Sequence, residues 1–157
     1  MKVELLVIGE NAFSFVNEGV RLYSERINNF ISFAIKIMPD IRNISALSKS
    51  ERQKRESDAF LKEAQGPVYL ILLDEKGKEM TSLEFSKYIQ TKMNSGIKQL
   101  TFVIGGPYGF SEELYKRAND RVSLSKLTFP HDMARLVFTE QLYRALSILK
   151  GEKYHHD

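Results

Sequence analysis

Hydrophobic and polar positions follow two alternating periods along the chain. Lys2–Gly9 is apolar and β-rich, with Gly9 as a stop, and reads as a first strand. Residues 12–29 carry Val16, Val20, Tyr23 and Ile27 at helical spacing, with charges between them. Ile31, Phe33, Ile35 and Ile37 then alternate with Ser32, Ala34, Lys36 and Met38, a period of two ended by Pro39 and Asp40. After a loop over 40–47, Ser48 and Glu51 stand at capping-box spacing and predict a charged helix that ends before Gly66 and Pro67. Val68–Leu73 is apolar on both faces, as expected of a central parallel strand, and Asp74–Lys78 reads as a polar turn after it. Thr81 and Glu84 form a second capping-box pair. They open a helix carrying Leu83, Phe85, Tyr88 and Ile89, closed by Asn94, Ser95 and Gly96. Leu100–Ile104 is a further buried strand, Ser111 starts a short helix, and Val122–Ser125 reads as a fifth strand. A last helix over 132–149 presents Met133, Leu136, Val137, Leu142, Tyr143, Leu146 and Leu149 as a broad apolar face. Gly151 ends it, and Glu152–Asp157 is a polar tail.

Strands alternating with helices predict an α/β fold, a mainly parallel sheet flanked by helices, in one domain over residues 1–157. Taken alone, the pattern implies an unknotted sheet, because threaded chains are rare. The absence of cysteine excludes disulfides, thiolate nucleophiles and Cys-ligated zinc. The N-terminus lacks the features of a signal peptide, and the longest apolar run, Val68–Leu73, is far short of the roughly 20 residues of a membrane span. The expectation is a soluble, cytoplasmic protein. With 23 Lys+Arg against 20 Asp+Glu, the net charge of +3 permits an anionic partner without requiring one. The helix over 48–65 is rich in both signs of charge, which suits either an RNA-facing edge or a solvated surface.

The chemistry-bearing residues concentrate in 100–156. Gly105, Gly106 and Gly109 follow a strand and precede a helix, but a dinucleotide fingerprint would need glycine where Ile104 stands, and no P-loop spacing exists. The turn is either a tight strand-to-helix connection or a surface that a flat ligand can approach closely. The histidines, His131, His155 and His156, are all late in the chain, and no carboxylate cluster accompanies them, so no metal is expected.

The segments IGGPYGF and LSKLTFPHDMARLVFTEQLYRALSILKGEKYHH, in that order, resemble the RlmH family of SPOUT-class methyltransferases over the whole chain. The resemblance implies an α/β-knot with a C-terminal trefoil knot and a homodimer. It also implies S-adenosylmethionine as the methyl donor for N3 of a pseudouridine in 23S rRNA of the assembled 70S ribosome. It places the cofactor against Leu73, Gly105, Gly106, Gly109 and the run Leu124, Ser125, Lys126, Leu127, Thr128 and Phe129. For N3 methylation an imide proton must leave, and His155, His131, Arg144 and Tyr154 are the residues implied for that step, with His155 favoured as the base or its orienter. The family tail usually places Lys or Arg where His156 stands, so a fixed cation there is not assured. Alternatives remain: a related SPOUT methyltransferase with a tRNA or other rRNA target, or a non-catalytic ribosome assembly factor. A nicotinamide enzyme is disfavoured by Ile104.

Overall fold

A computed structural model describes residues 1–156. Five parallel strands form one sheet in the order β2-β1-β4-β3-β5. They are β1 (Lys2–Ile8), β2 (Phe33–Met38), β3 (Tyr69–Glu79), β4 (Gln99–Ile104) and β5 (Asp120–Ser123). The helices are α1 (Ser14–Asn28), α2 (Lys49–Glu63), α3 (Ser82–Asn94), α4 (Glu112–Arg117) and α5 (His131–Lys150).

The two-residue period of the strands sorts side chains into two cores. Val3, Leu5, Ile71, Leu100 and Phe102 face one way and pack with Ile27 of α1, Phe85 and Ile89 of α3, and Phe138 and Leu142 of α5. Leu6, Leu70, Leu72 and Val103 face the other way and pack with Phe60 of α2 and Leu114 of α4. Fully burying each such side chain contributes roughly 1.5–3 kcal/mol, so both faces of the sheet are firmly covered. Both capping boxes form. Ser48 accepts from the Glu51 amide at 3.1 Å, and Thr81 from the Glu84 amide at 3.2 Å; each glutamate returns a bond to its cap residue's amide.

Three expectations need correction. Residues 74–77 are a turn-like bulge inside a strand rather than its end: Leu73 and Lys78 both pair with Val122, the Lys76 amide donates to Asp74 Oδ1 at 2.9 Å within the excursion, and β3 then runs on to Glu79. The polar run misled because an irregular strand leaving the core has no apolar side to show. Gly77 permits this path, since a Cβ there would lie 2.6 Å from the Val122 backbone. The fifth strand covers Asp120–Ser123, earlier than Val122–Ser125, which frees Leu124 and Ser125 for a loop. In β2 the buried face changes along the strand: Phe33 packs in the first core, Ile37 on that same side is 44% exposed at the sheet edge, and Met38 is buried on the other side in the core with Phe60.

Candidate functional site

The connections at the carboxyl ends of the strands diverge around β4. From β1 and β3 the chain enters α1 and α3 on one face of the sheet, whereas from β4 it enters α4 on the other. Crevices open where neighbouring connections part in this way. One lies on each side of the end of β4.

The larger crevice, of about 550 Å³, is walled by the ends of β3, β4 and β5. That volume is within the usual range for a small-molecule site. Leu73, Gly105, Gly106, Gly109, Leu124, Ser125, Leu127, Thr128 and Phe129 line it, and so does His131. Lys126 does not; its side chain points to solvent, 3.7 Å from Glu79. The loop after β5 is held by its own serines: the Ser123 hydroxyl donates to the Ser125 carbonyl, and Ser125 Oγ accepts from the Leu127 amide. Leu127 stands 75% exposed at the rim. The glycine turn is tight for a steric reason: a Cβ on Gly105 would lie 2.6 Å from the Phe110 ring. Helix α2 grips the same turn through Gln53, which donates to the Tyr108 carbonyl at 2.7 Å, and Ser57, which accepts from the Ser111 amide at 2.8 Å.

Asp74, Glu75 and Lys76 also line this crevice, as does Tyr115, whose hydroxyl donates to Asp74. Burial, then the bond to Asp74, push the Tyr115 phenol up to about 12. The sequence reading missed these residues once 74–78 was taken for a turn. His131 is half-buried, and that burial pushes its pKa below the ordinary 6.5 despite the opposing charge of Glu56.

The smaller crevice, of about 180 Å³, lies between the ends of β1 and β4. It shares Ile104, Gly105, Gly106 and His131 with the larger one and adds Arg52, Glu56 and Arg135. Glu56 and Arg135 are each only 3% exposed. Arg135 donates to the carbonyls of Gly9 at 2.8 Å and Ile8 at 2.7 Å, and to Asn11 at 3.0 Å. Glu56 Oε1 accepts from Arg52 Nε at 2.9 Å. Neither residue stood out in the sequence, although each carries a signal. Glu56 is four residues before the core residue Phe60, and Arg135 is three before the core residue Phe138, so both lie on buried helix stripes.

Arg144, Tyr154 and His155 gather elsewhere, at the far end of α5. Arg144 pairs with Glu140, and its guanidinium is 3.4 Å from His155 Nδ1. Tyr154 donates to Glu140 at 3.1 Å, shares a 3.2 Å contact with the Tyr23 hydroxyl, and packs edge-on against Tyr143. Burial, then these bonds, raise the Tyr154 phenol well above its ordinary value. The tail is thus anchored through Tyr154 and His155 to α1 and α5 of its own chain, whereas His156 is exposed; Asp157 lies outside the described residues. Thirteen residues of helix separate His131 from Arg144, about 20 Å. One chain therefore does not bring His131 together with Arg144, Tyr154 and His155.

No helix among the described residues is long and apolar enough to cross a membrane. A family model described as "Predicted SPOUT methyltransferase" matches residues 1–155. The chain is 48% identical over 157 residues to "Ribosomal RNA large subunit methyltransferase H" of Parabacteroides distasonis, spanning all of both chains. It is 47% identical to the protein of that name from Christiangramia forsetii, over 99% of each chain. The Cytophaga hutchinsonii protein of that name is 48% identical, over 99% of this chain and all of the relative. With its parallel sheet, divergent crevices and full-length matches, the chain belongs to the SPOUT methyltransferase family.

Proposed function

We propose that the protein transfers a methyl group from S-adenosylmethionine to N3 of a pseudouridine in 23S rRNA, acting in the cytoplasm as a knotted homodimer on the assembled 70S ribosome. The observation that carries this reading is the 550 Å³ crevice at the ends of β3, β4 and β5, in a chain related over its full length to enzymes named for ribosomal RNA large-subunit methylation. Its walls fit the cofactor. Leu73, Leu124 and Phe129 offer apolar surface to an adenine ring, and the side-chain-free turn at Gly105 and Gly106 lets backbone groups approach its edge. Ser125 and Thr128 add hydroxyls, and the acidic Asp74 and Glu75 complement a ligand that carries positive charge. When bound, S-adenosylmethionine supplies an electrophilic methyl, so no metal is needed.

The chain's own residues position the base, accept its imide proton and stabilise the resulting anion. Arg144, held by Glu140 and facing His155, is suited to the last of these tasks. The separation of about 20 Å between His131 and Arg144 favours a dimer, in which one chain's tail cluster serves the other chain's crevice. The knot formed by the segment from β5 through α5 belongs to the same reading.

The test is transfer of labelled methyl from S-adenosylmethionine to ribosomes lacking the modification, with naked rRNA and tRNA alongside and the methylated base mapped. Label at one large-subunit pseudouridine, in assembled ribosomes only, is the expected result. Label in tRNA, or at another base, would replace the proposed substrate. No label in any pool together with no cofactor binding would overturn the enzymatic reading.

A further inference from the structure

Helix α2 carries both signs of charge, and the structure sorts them. In its first two turns Lys49, Arg52, Lys54 and Arg55 stand against Glu51 alone, whereas Glu56, Asp58 and Glu63 outnumber Lys62 in the rest. All of these carboxylates are engaged. Glu51 turns back to the Ser48 amide in the capping box, Asp58 pairs with Lys54, and Glu63 pairs with Lys36. Glu56 is buried and holds Arg52 through Nε alone, at 2.9 Å. Lys49 and Arg55 are exposed and form no ion pair among the described residues. Lys49, Arg52 and Arg55 follow one another at three-residue spacing, so they form one continuous ridge. The ridge begins against an aromatic ring. Lys49 Nζ lies 5.8 Å and the Arg52 guanidinium 5.4 Å from the Tyr108 ring centroid, within cation–π range. Tyr108 stays 37% exposed although Gln53 fixes its carbonyl. Tyr108 lines the larger crevice and Arg52 the smaller, so this ledge joins the mouths of both.

We propose that Tyr108, Lys49, Arg52 and Arg55 form the ledge that holds the single-stranded rRNA next to the target base. The Tyr108 ring stacks on one flanking base, and the three cations take backbone phosphates. The proposal rests on the methyltransferase reading above and names how the same site grips its substrate strand. A base methylated at N3 must be unpaired, because N3 lies on its Watson–Crick edge. Its neighbours then expose their ring faces, which a duplex does not offer. Cations that track the backbone, with an aromatic ring to receive a base, are the chemistry that binds single strands. The charge is complementary, and the position is right: the strand lies along the rim of the crevice that holds the methyl donor. Glu56 acts here from beneath. Its bond to Nε orients the Arg52 guanidinium beside the ring and leaves the two terminal nitrogens for a phosphate. The charged helix is thus an RNA-facing edge in its first two turns and a solvated, internally paired surface beyond them.

The experiment measures binding to ribosomes lacking the modification over a series of salt concentrations, for the wild-type protein and for Lys49→Ala, Arg55→Ala, Tyr108→Phe and Tyr108→Ala. S-adenosylmethionine affinity and methyl transfer are measured for each. Lys49→Ala and Arg55→Ala are each expected to lower the slope of log K against log salt by roughly 0.7, the loss of one phosphate contact to a single strand, with cofactor affinity unchanged. Tyr108→Ala is expected to weaken ribosome binding by roughly 5- to 150-fold at an unchanged slope, the worth of one stacked base, and Tyr108→Phe to bind as the wild type does. Unmoved slopes in both cation variants would overturn the proposal. So would a Tyr108→Ala protein that binds ribosomes normally, or a Tyr108→Phe protein as weak as Tyr108→Ala, since the hydroxyl and not the ring face would then matter. Loss of cofactor affinity in Tyr108→Ala with ribosome binding intact would assign the ring to the cofactor instead. The two readings fail separately. Salt slopes and stacking losses as expected, in a wild-type protein that transfers no methyl, would support the ledge and sink the methyltransferase reading.

Discussion

Gly77→Ala tests whether the β3–β5 pairing shapes the larger crevice. An added Cβ would lie 2.6 Å from both the nitrogen and the carbonyl carbon of Val122, and 2.8 Å from the carbonyl carbon of Arg121. These are backbone atoms of β5, so no side chain can swing aside. Non-bonded carbons sit at about 3.5 Å or more, and β5 must therefore withdraw by about 0.9 Å. A ladder hydrogen bond stretched that far lies outside the normal 2.7–3.2 Å range. The pairings Leu73–Val122, Lys78–Val122 and Glu79–Ser123 all cross this point. Losing two or three bonds at about 1 kcal/mol each costs about 2–3 kcal/mol. For a chain of this length that lowers Tm by about 4–12 °C. The control is Gly96→Ala. Gly96 has φ +79° with nothing within 4 Å of an added Cβ, so the variant suffers only left-handed backbone strain of about 1 kcal/mol. Thermal unfolding and titration with S-adenosylmethionine are measured on both. Gly77→Ala is expected to melt lower and bind more weakly, because Ser123–Ser125 move with β5, whereas Gly96→Ala binds normally. A Gly77→Ala protein that melts no lower than Gly96→Ala, with unchanged affinity, would refute the reasoning.

Burial favours neutral His131 in the folded chain, so the unfolded chain takes up that proton first as pH falls below 6.5. Its stability contribution is whole above 6.5 and declines as pH falls below it toward the depressed folded value; His131→Gln should flatten the fall of Tm below pH 6.5. Ser48→Ala and Thr81→Ala each remove an N-cap and should cost about 1 kcal/mol in denaturant titrations, adding within about 0.5 kcal/mol because the caps belong to separate helices. If the tail cluster of one chain serves the crevice of the other, mixing inactive Gly105→Phe and Arg144→Ala proteins should restore about a quarter of wild-type methyl transfer, through hybrids with one intact site. No recovery after confirmed subunit exchange would place both clusters' work within one chain.

Much of the fold was legible because periodicity reports burial directly. The five strands and the two capping boxes follow from local patterns that tertiary packing did not override. The failures are also physical. Asp74–Gly77 bulges out of a strand that resumes at Lys78 against β5, and neither that return nor the close approach at Gly77 is visible in a polar run. Most residues of the larger crevice were legible from the glycine turn and the family-like loop after β5. Lys126 was not separable from its neighbours, because a sequence does not tell which side of a short loop faces solvent. Glu56 and Arg135 were hidden by the habit of reading charge as surface. Their burial depends on partners that are 126 and 127 positions away for Arg135, and on a glycine 50 positions away for Glu56.

Arg135 explains why the two ends of α5 keep their distance. A charged side chain on the core stripe of a helix invites replacement by leucine, which would gain apolar burial. Here such a replacement would strip the carbonyls of Ile8 and Gly9 of their donor, just where β1 leaves the sheet. Arg135 therefore ties the start of α5 to the end of β1. At the other end, Tyr154 reaches Tyr23 and so ties the tail to α1, the helix that β1 leads into. Between these ties Phe138 and Leu142 are fully buried against the sheet. The helix is thus a rod fixed at both ends and along its length. Bending it to bring Arg144 to His131 would break the core before it closed a gap of about 20 Å. If both clusters serve one reaction, the gap must be closed by a second copy of the chain, and selection for that geometry would hold α5 rigid rather than make it flexible.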